Sequence, residues 1–496
     1  MTNSQILILS ILILYLAVNF IVGILFSKKQ EKESTMGFEK KYFIGSRGMN
    51  GFVLAMTTVA TYTSVSSFVS GPGAAGLTYG FSQAWVAGVQ VGAAFLTLGV
   101  LGKKFAVISR KTGAVTIAGY LKARYKSDAL VIITTVLMLV FFVAQMIGQF
   151  MGGATLIETV TGLPYWIALL IFAIVVISYT AFGGFTAVVI TDTIQGVIML
   201  VGTFLFLFYV VSNLGSFEMM ATTLDTTLPG WDTMTETGYT PGSLLSFWVL
   251  VGVGVLGLPQ TAVRGMGFKD TKSCHNAMLV GTIVAGILMI GMHVGGVWAG
   301  ALCDGQTLPS TDYFIPTIVQ QIMPTGIAGF FLAAPMAAVM STVSSLLILA
   351  SASIVKDLWK TYFVKDDEKK LAKFNKTLSY SSFFVTLLIG VLVFVLTLTP
   401  PQIIFWVQLF AMGGLEAAFF WPIVGGIFYK KGNKQAALAS SVIGVLVYIV
   451  SYQFKITVWN INAVVWGLLF SGIAYFLIGH LTCKDGLDQD VLDTCF

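Results

Sequence analysis

Charge is scarce in this chain. Only 10% of its 496 residues are Asp, Glu, Lys or Arg, while 56% are hydrophobic; a soluble domain carries about 25% charged residues. That balance excludes a water-soluble globule. Histidine and cysteine are scarcer still. His275, His293 and His480 lie far apart, and Cys274, Cys303, Cys483 and Cys495 have neither metal-ligand spacing nor the look of a disulfide framework. No GxxxxGK[ST] loop is present to cradle a nucleotide, and no HExxH, CxxC or GxSxG to carry catalysis. Direct ATP drive is excluded, and enzyme chemistry has no constellation to rest on. No soluble domain can be cut out either, because the polar segments between apolar runs are short.

The few cations that exist are clustered. All of the 28 Lys and Arg except Lys455 fall in stretches 28–47, 103–126, 264–272, 356–376, 430–434 and the tail at Lys484. The intervening polar segments 213–242 and 301–323 hold Glu218, Asp225, Asp232, Glu236, Asp304 and Asp312 but no Lys or Arg. Cytoplasmic loops collect Lys and Arg, so the basic stretches are expected inside. The same bias explains the net charge of +6 without a nucleic-acid partner.

Apolar runs long enough for a bilayer core of about 30 Å fall near 5–27, 51–77, 83–102, 129–157, 164–182, 185–212, 243–262, 276–301, 324–353, 377–398, 402–428, 435–452 and 459–480. These predict an all-α polytopic membrane protein with about thirteen helices, N-terminus outside and C-terminus inside. Between 164 and 212 only Gly183-Gly184 marks a break. The first run lacks a basic leader and reads as a retained helix.

Two acids sit inside apolar sequence, Asp192 and Glu416. A charge at the bilayer centre costs at least about 2.5–3.5 kcal/mol, so such residues usually face a cavity or an ion. Glu158, near a helix end, reads as interfacial. Two helices are interrupted. The helix at 51–77 carries a run of Thr and Ser from Thr57 to Ser70 and then Gly71-Pro72-Gly73; the helix at 243–262 carries Gly257-Leu258-Pro259-Gln260. Proline breaks the helical ladder, and non-helical backbone at membrane depth occurs only where it lines a cavity. Interrupted segments in corresponding positions of two halves point to the substrate site of an inverted-repeat transporter. In AAPMAAVMSTVSS, Ser341, Thr342, Ser344 and Ser345 share helix faces at i+3 and i+4. Their hydroxyls suit a small cation, or close helix packing.

The stretches GSRGMNGFVLAMTTVATYTSVSSFVSGPGAAG, YTAFGGFTAVVITDTIQG, GLPQTAVRGMGFKD and AAPMAAVMSTVSS resemble the sodium:solute symporter family, over about residues 8–480. The GLP-x-TAVR and GGLEA stretches resemble its pantothenate-carrying branch. The resemblance implies a LeuT-type five-plus-five inverted repeat. An extra helix and basic loop would occupy 1–50, the repeats 51–212 and 243–428, and two further helices with a short tail 435–496. It also implies a principal sodium site at Ala60, Thr63, Ala338, Ser341 and Thr342. A second would lie at Asp192, Ser341, Ser344 and Ser345, unless Asp192 holds the inner gate closed. By residue type, the substrate cavity is expected at Tyr62, Ser64, Ser66, Ser67, Gln90, Gln149 and Gln260, with Arg264 at the inner gate and Glu416 in coupling or gating. The expected activity is sodium-coupled import of pantothenate across the cell membrane, with no cofactor beyond sodium. The alternative is a symporter of this family for another small carboxylate or an amino acid such as proline.

Overall fold

The computed structural model describes residues 2–33, 48–303, 308–364, 368–400, 404–483 and 489–496. Of the charged residues read above, Lys40, Lys41, Arg47, Asp304, Lys365 and Lys484 lie outside them. In lipid every backbone N–H and C=O must be satisfied within its own segment, so the apolar runs become helices. Among the described residues eleven helices are long and apolar enough to cross a membrane, and two bent pairs bring the number to thirteen. In chain order these are α1 (Asn3–Gly23), α2 (Gly51–Tyr62 and Ser66–Tyr79), α3 (Phe81–Thr112), α4 (Asp128–Thr161), α5 (Tyr165–Phe185) and α6 (Ala187–Asn213). Then come α7 (Pro241–Gly257 and Pro259–Met266), α8 (Thr271–Gly300), α9 (Thr325–Val364), α10 (Tyr380–Thr397), α11 (Ile404–Phe428), α12 (Lys434–Gln453) and α13 (Ala463–Thr482).

Helix boundaries follow local chemistry. Ser127, Asp270, Asn433 and Asn462 cap the first turns of α4, α8, α12 and α13 with their side-chain oxygens. Gly184, in the last turn of α5, has φ +64° and kinks the chain ahead of α6; this left-handed backbone is open to glycine at no steric cost. Several helices outrun the apolar stretches. α3 continues through Lys103, Lys104, Arg110 and Lys111, and α9 runs on to Val364 with π-helical geometry after Ala352. Short helices also form at Ile117–Tyr125 and Phe217–Thr227, segments that read as loops.

The central helix is α9. Small residues from Ala333 to Ala338 let α2, α4 and α6 close on it, and it is buried from Phe331 to Ala352. α10 instead turns Phe384, Leu388 and Leu392 outward, an apolar face suited to lipid.

The two broken helices bend by 76° (α2) and 50° (α7). In α7 the break falls where the sequence placed it. Leu258 is extended (φ −84°, ψ 114°), as the residue before a proline prefers. In α2 it does not fall at Pro72. The chain leaves the helix at Thr63 and re-enters at Ser66, while Pro72 opens a helical turn behind the π-helical segment Ser66–Ser70. Gly71 and Gly73 serve close packing there. A Cβ would lie 2.3 Å from His293 Nε2 at Gly71, and 2.0 Å from the Thr311 carbonyl at Gly73.

Candidate functional site

The break in α2 releases backbone carbonyls. The ladder ends with Thr63 N–H donating to Val59 O (2.9 Å), and Ser67 N–H turns back to Ser64 O (2.9 Å). The carbonyls of Ala60 and Thr63 face α9 instead. Ser341 Oγ donates to Ala60 O at 2.9 Å and lies 3.0 Å from Ala338 O. Thr342 Oγ1 lies 3.1 Å from both Thr63 O and Ala338 O. Three carbonyls and two hydroxyls are thus gathered within hydrogen-bond distance, fully buried. An all-oxygen, uncharged set of this kind suits a small hard cation.

One turn along α9 lies the buried ion pair. Asp192 of α6 accepts at Oδ2 from Thr57 Oγ1 (2.9 Å) and from an Arg264 guanidinium nitrogen (3.0 Å). The same guanidinium nitrogen donates to Ser345 Oγ (2.5 Å), and its plane lies 5.0 Å from the Phe185 ring centroid. Ser345 Oγ is 3.5 Å from Thr61 Oγ1, and Ser344 Oγ donates to Ser341 O (3.1 Å). Asp192, Ser341, Ser344 and Ser345 therefore lie close together. In this conformation Arg264 occupies one carboxylate oxygen, while Asp192 Oδ1 has no protein partner. The pair ties the second half of α7, Pro259–Met266, to α6 and α9.

Between the two breaks lies a cavity with about 20 Å³ of free volume, room for about one water. Tyr62, Ser64, Ser66 and Gln90 line it, with Gln83, Val251, Val255, His293, Phe405, Leu409 and Met412. Ser67, Gln149 and Gln260 are not in this lining. Gln149 Oε1 accepts from Val65 N–H (3.1 Å), inside the α2 break. Gln260 Nε2 donates to Gln145 Oε1 (3.2 Å), and Gln408 Nε2 donates to Gln145 O (2.7 Å). Gln145 and Gln149 stand one turn apart on α4, so this helix links the two breaks. Glu416 lies against α7 at Gly254, and Glu158 accepts from Tyr313 OH (2.9 Å).

Gln83, His293, Gln145 and Gln408 were not among the residues expected at the site. His293 Nδ1 is 2.8 Å from Met289 O. A carbonyl can only accept, so Nδ1 bears hydrogen. Gln83 accepts from Tyr239 OH (2.6 Å), and Phe81 N–H donates to Trp231 O (2.7 Å). Tyr239 also stacks on Tyr79 with centroids 4.3 Å apart. The 213–242 segment thereby closes over the Gln83 end of the cavity.

Three comparisons bear on this arrangement. Residues 42–444 match the sodium:solute symporter family. The chain is 45% identical to the sodium/pantothenate symporter of Haemophilus influenzae over 475 residues, and 43% identical to that of Escherichia coli over 474, covering 95% of both partners in each case. It is 27% identical to the osmoregulated proline transporter of Bacillus subtilis, covering 89% of each chain. Its fold is shared with a sodium-coupled sialic acid symporter in a substrate-bound outward-open state: TM-score 0.72, 20% identity, 96% of this chain and 98% of that one. A closed nucleobase-cation symporter, Mhp1, matches at TM-score 0.56 and 14% identity over 91% and 97%. The architecture is of the LeuT type, and the chain is a multi-pass protein of the cell membrane. It belongs to the sodium:solute symporter family.

Proposed function

We propose that this protein imports pantothenate together with sodium by alternating access, and that it catalyses no chemical reaction. The observation that carries the sodium half is the gathering of Ala60 O, Thr63 O, Ala338 O, Ser341 Oγ and Thr342 Oγ1 at the α2 break. An ion there would bridge α2 to α9, so its binding would favour one arrangement of these helices over another. The pantothenate half is supported by the two relatives at 43–45% identity. Tyr62, Ser64, Ser66 and Gln90 offer donors and acceptors for hydroxyl, amide and carboxylate groups. The cavity must widen to admit such a molecule. On the outer side that means lifting the Trp231–Tyr239 segment; on the inner side it means parting Arg264 from Asp192 and Ser345.

In this reading 51–212 and 243–428 are the two inverted halves, with α1 before them and α12 and α13 after. The basic stretches are cytoplasmic, the N-terminus is outside and the C-terminus inside, in keeping with the positive-inside bias. Asp192 with Ser341, Ser344 and Ser345 forms a second sodium site when Arg264 withdraws. One sodium entering down a tenfold gradient supplies about 1.4 kcal/mol. Each net positive charge moved adds about 2.3 kcal/mol per 100 mV. One sodium with one pantothenate anion moves no net charge, so only a second cation brings in the electrical term.

Uptake of labelled pantothenate into proteoliposomes under a sodium gradient tests the proposal. Uptake should require sodium and resist excess proline. Sodium-dependent uptake of proline with none of pantothenate would replace this substrate with the alternative one.

A further inference from the structure

Glu416 has no role in either sodium site, yet it is fully buried on α11, and neither carboxyl oxygen has a protein hydrogen-bond partner. Its position is specific. A Cβ built on Gly254 would lie 2.2 Å from Glu416 Oε2, so at that point α7 must be glycine for the acid to fit. Phe405, Leu409 and Met412 line the central cavity, and Glu416 continues their stripe one turn beyond Met412. Val251 and Val255, which bracket Gly254, line the same cavity. The carboxyl group therefore sits just inward of the cavity, against the broken helix that has to move for it to open.

Among the described residues no charged side chain faces it. α4 presents Phe141 to this part of α11, α7 presents Gly254 and Gly257, and α13 presents Gly467 and Ser471. The Ser66–Ser70 segment of α2, also packed on α11, contains no acid or base. Among the described residues the titratable neighbour is Tyr448 of α12, whose hydroxyl donates to Phe410 O at 2.9 Å. A carboxylate without donor or countercation is strongly disfavoured in such a place, whereas a carboxylic acid is not.

We infer that Glu416 is a proton-binding site of the transport cycle, loaded while α7 packs on it and emptied when the break swings away. The carboxylate takes a proton from hydronium on the outer side, forming an O–H bond as one in hydronium breaks to leave water. That bond breaks when the cavity opens inward, and the proton passes to cytoplasmic water. With one monoanionic substrate, the proton would carry one positive charge inward beside one sodium and two beside both. The charge balance rests on the pantothenate reading; the proton site does not.

Proteoliposomes with a pH dye trapped inside, and the potential fixed by potassium and valinomycin, test this. Adding pantothenate outside wild-type vesicles should acidify the lumen in step with uptake. Glu416→Gln keeps the shape of the neutral acid and should take up pantothenate without acidification. Wild-type uptake with no acidification overturns the inference and needs no variant; so does acidification by Glu416→Gln equal to wild type. If neither protein moves pantothenate, the substrate reading has failed, and infrared spectroscopy of substrate-free protein still decides the proton site. A protonated-carboxyl band present in wild type and lost in Glu416→Gln supports it; superimposable spectra overturn it.

Discussion

Replacing Thr342 by alanine removes a single oxygen from the five gathered at the α2 break. The helix itself should tolerate the change, since alanine has the highest helix propensity, and the packing lost is one hydroxyl and one methyl. What disappears is the oxygen 3.1 Å from both Thr63 O and Ala338 O. Interactions between a polar group and a charge are worth about 1.5–3 kcal/mol net. Losing one ligand should raise the sodium concentration for half-maximal uptake roughly 10- to 150-fold, since each 1.4 kcal/mol is about tenfold. Thr342→Ser keeps the oxygen and should recover most of the loss. The assay is initial uptake rate against sodium at fixed potential, with expression and melting temperature as controls for folding. A Thr342→Ala protein that folds normally and keeps wild-type sodium dependence would refute the ligand assignment.

Other expectations follow from the same contacts. Arg264→Ala strands Asp192 with no countercharge, and breaking a buried pair costs about 3–5 kcal/mol. Its melting temperature should fall sharply, and the double variant Asp192→Ala/Arg264→Ala should recover part of it; a double variant less stable than Arg264→Ala would contradict this. Gln90→Ala should raise the pantothenate KM about two- to tenfold, the value of one neutral hydrogen bond, with sodium dependence unmoved. Asp270 caps α8 outside the membrane, and the Ser273 backbone N–H and hydroxyl hold its carboxyl below the usual range. A depressed folded pKa stabilises above the unfolded value and loses that contribution as pH falls through the folded one. The melting difference between wild type and Asp270→Ala should therefore be largest near neutrality and vanish in acid.

The membrane frame was legible because two independent signals agree, the apolar runs and the sparing placement of Lys and Arg. The α7 break was legible too, because Pro259 dictates it locally. The α2 break was legible only through the resemblance, which put freed carbonyls at Ala60 and Thr63, beside where it falls. Pro72 is the local signal, yet the chain opens at Thr63–Val65, where Ser341, Thr342 and Gln149 accept or supply the freed backbone hydrogen bonds. Those partners are 84 to 281 residues away, and no window of sequence contains them. The hydroxyls of α9 could be read from their i+3 and i+4 spacing. His293 and Gln83 could not, since a single polar residue in an apolar helix does not reveal which face it occupies. Gln149 and Gln260 carry the right chemistry for a cavity, but Gln149 Oε1 is taken by Val65 N–H and Gln260 Nε2 by Gln145, which braces the two breaks.

Coupling must run in both directions, and this gives the most direct test of sodium-driven pantothenate import. Proteoliposomes are loaded with the same sodium concentration inside and out, the potential is held at zero, and tracer sodium is added with pantothenate outside. The account predicts that an inward pantothenate gradient drives tracer sodium in above exchange, and that Thr342→Ala weakens this drive. Pantothenate entering at its full rate while sodium stays at the exchange level would contradict it.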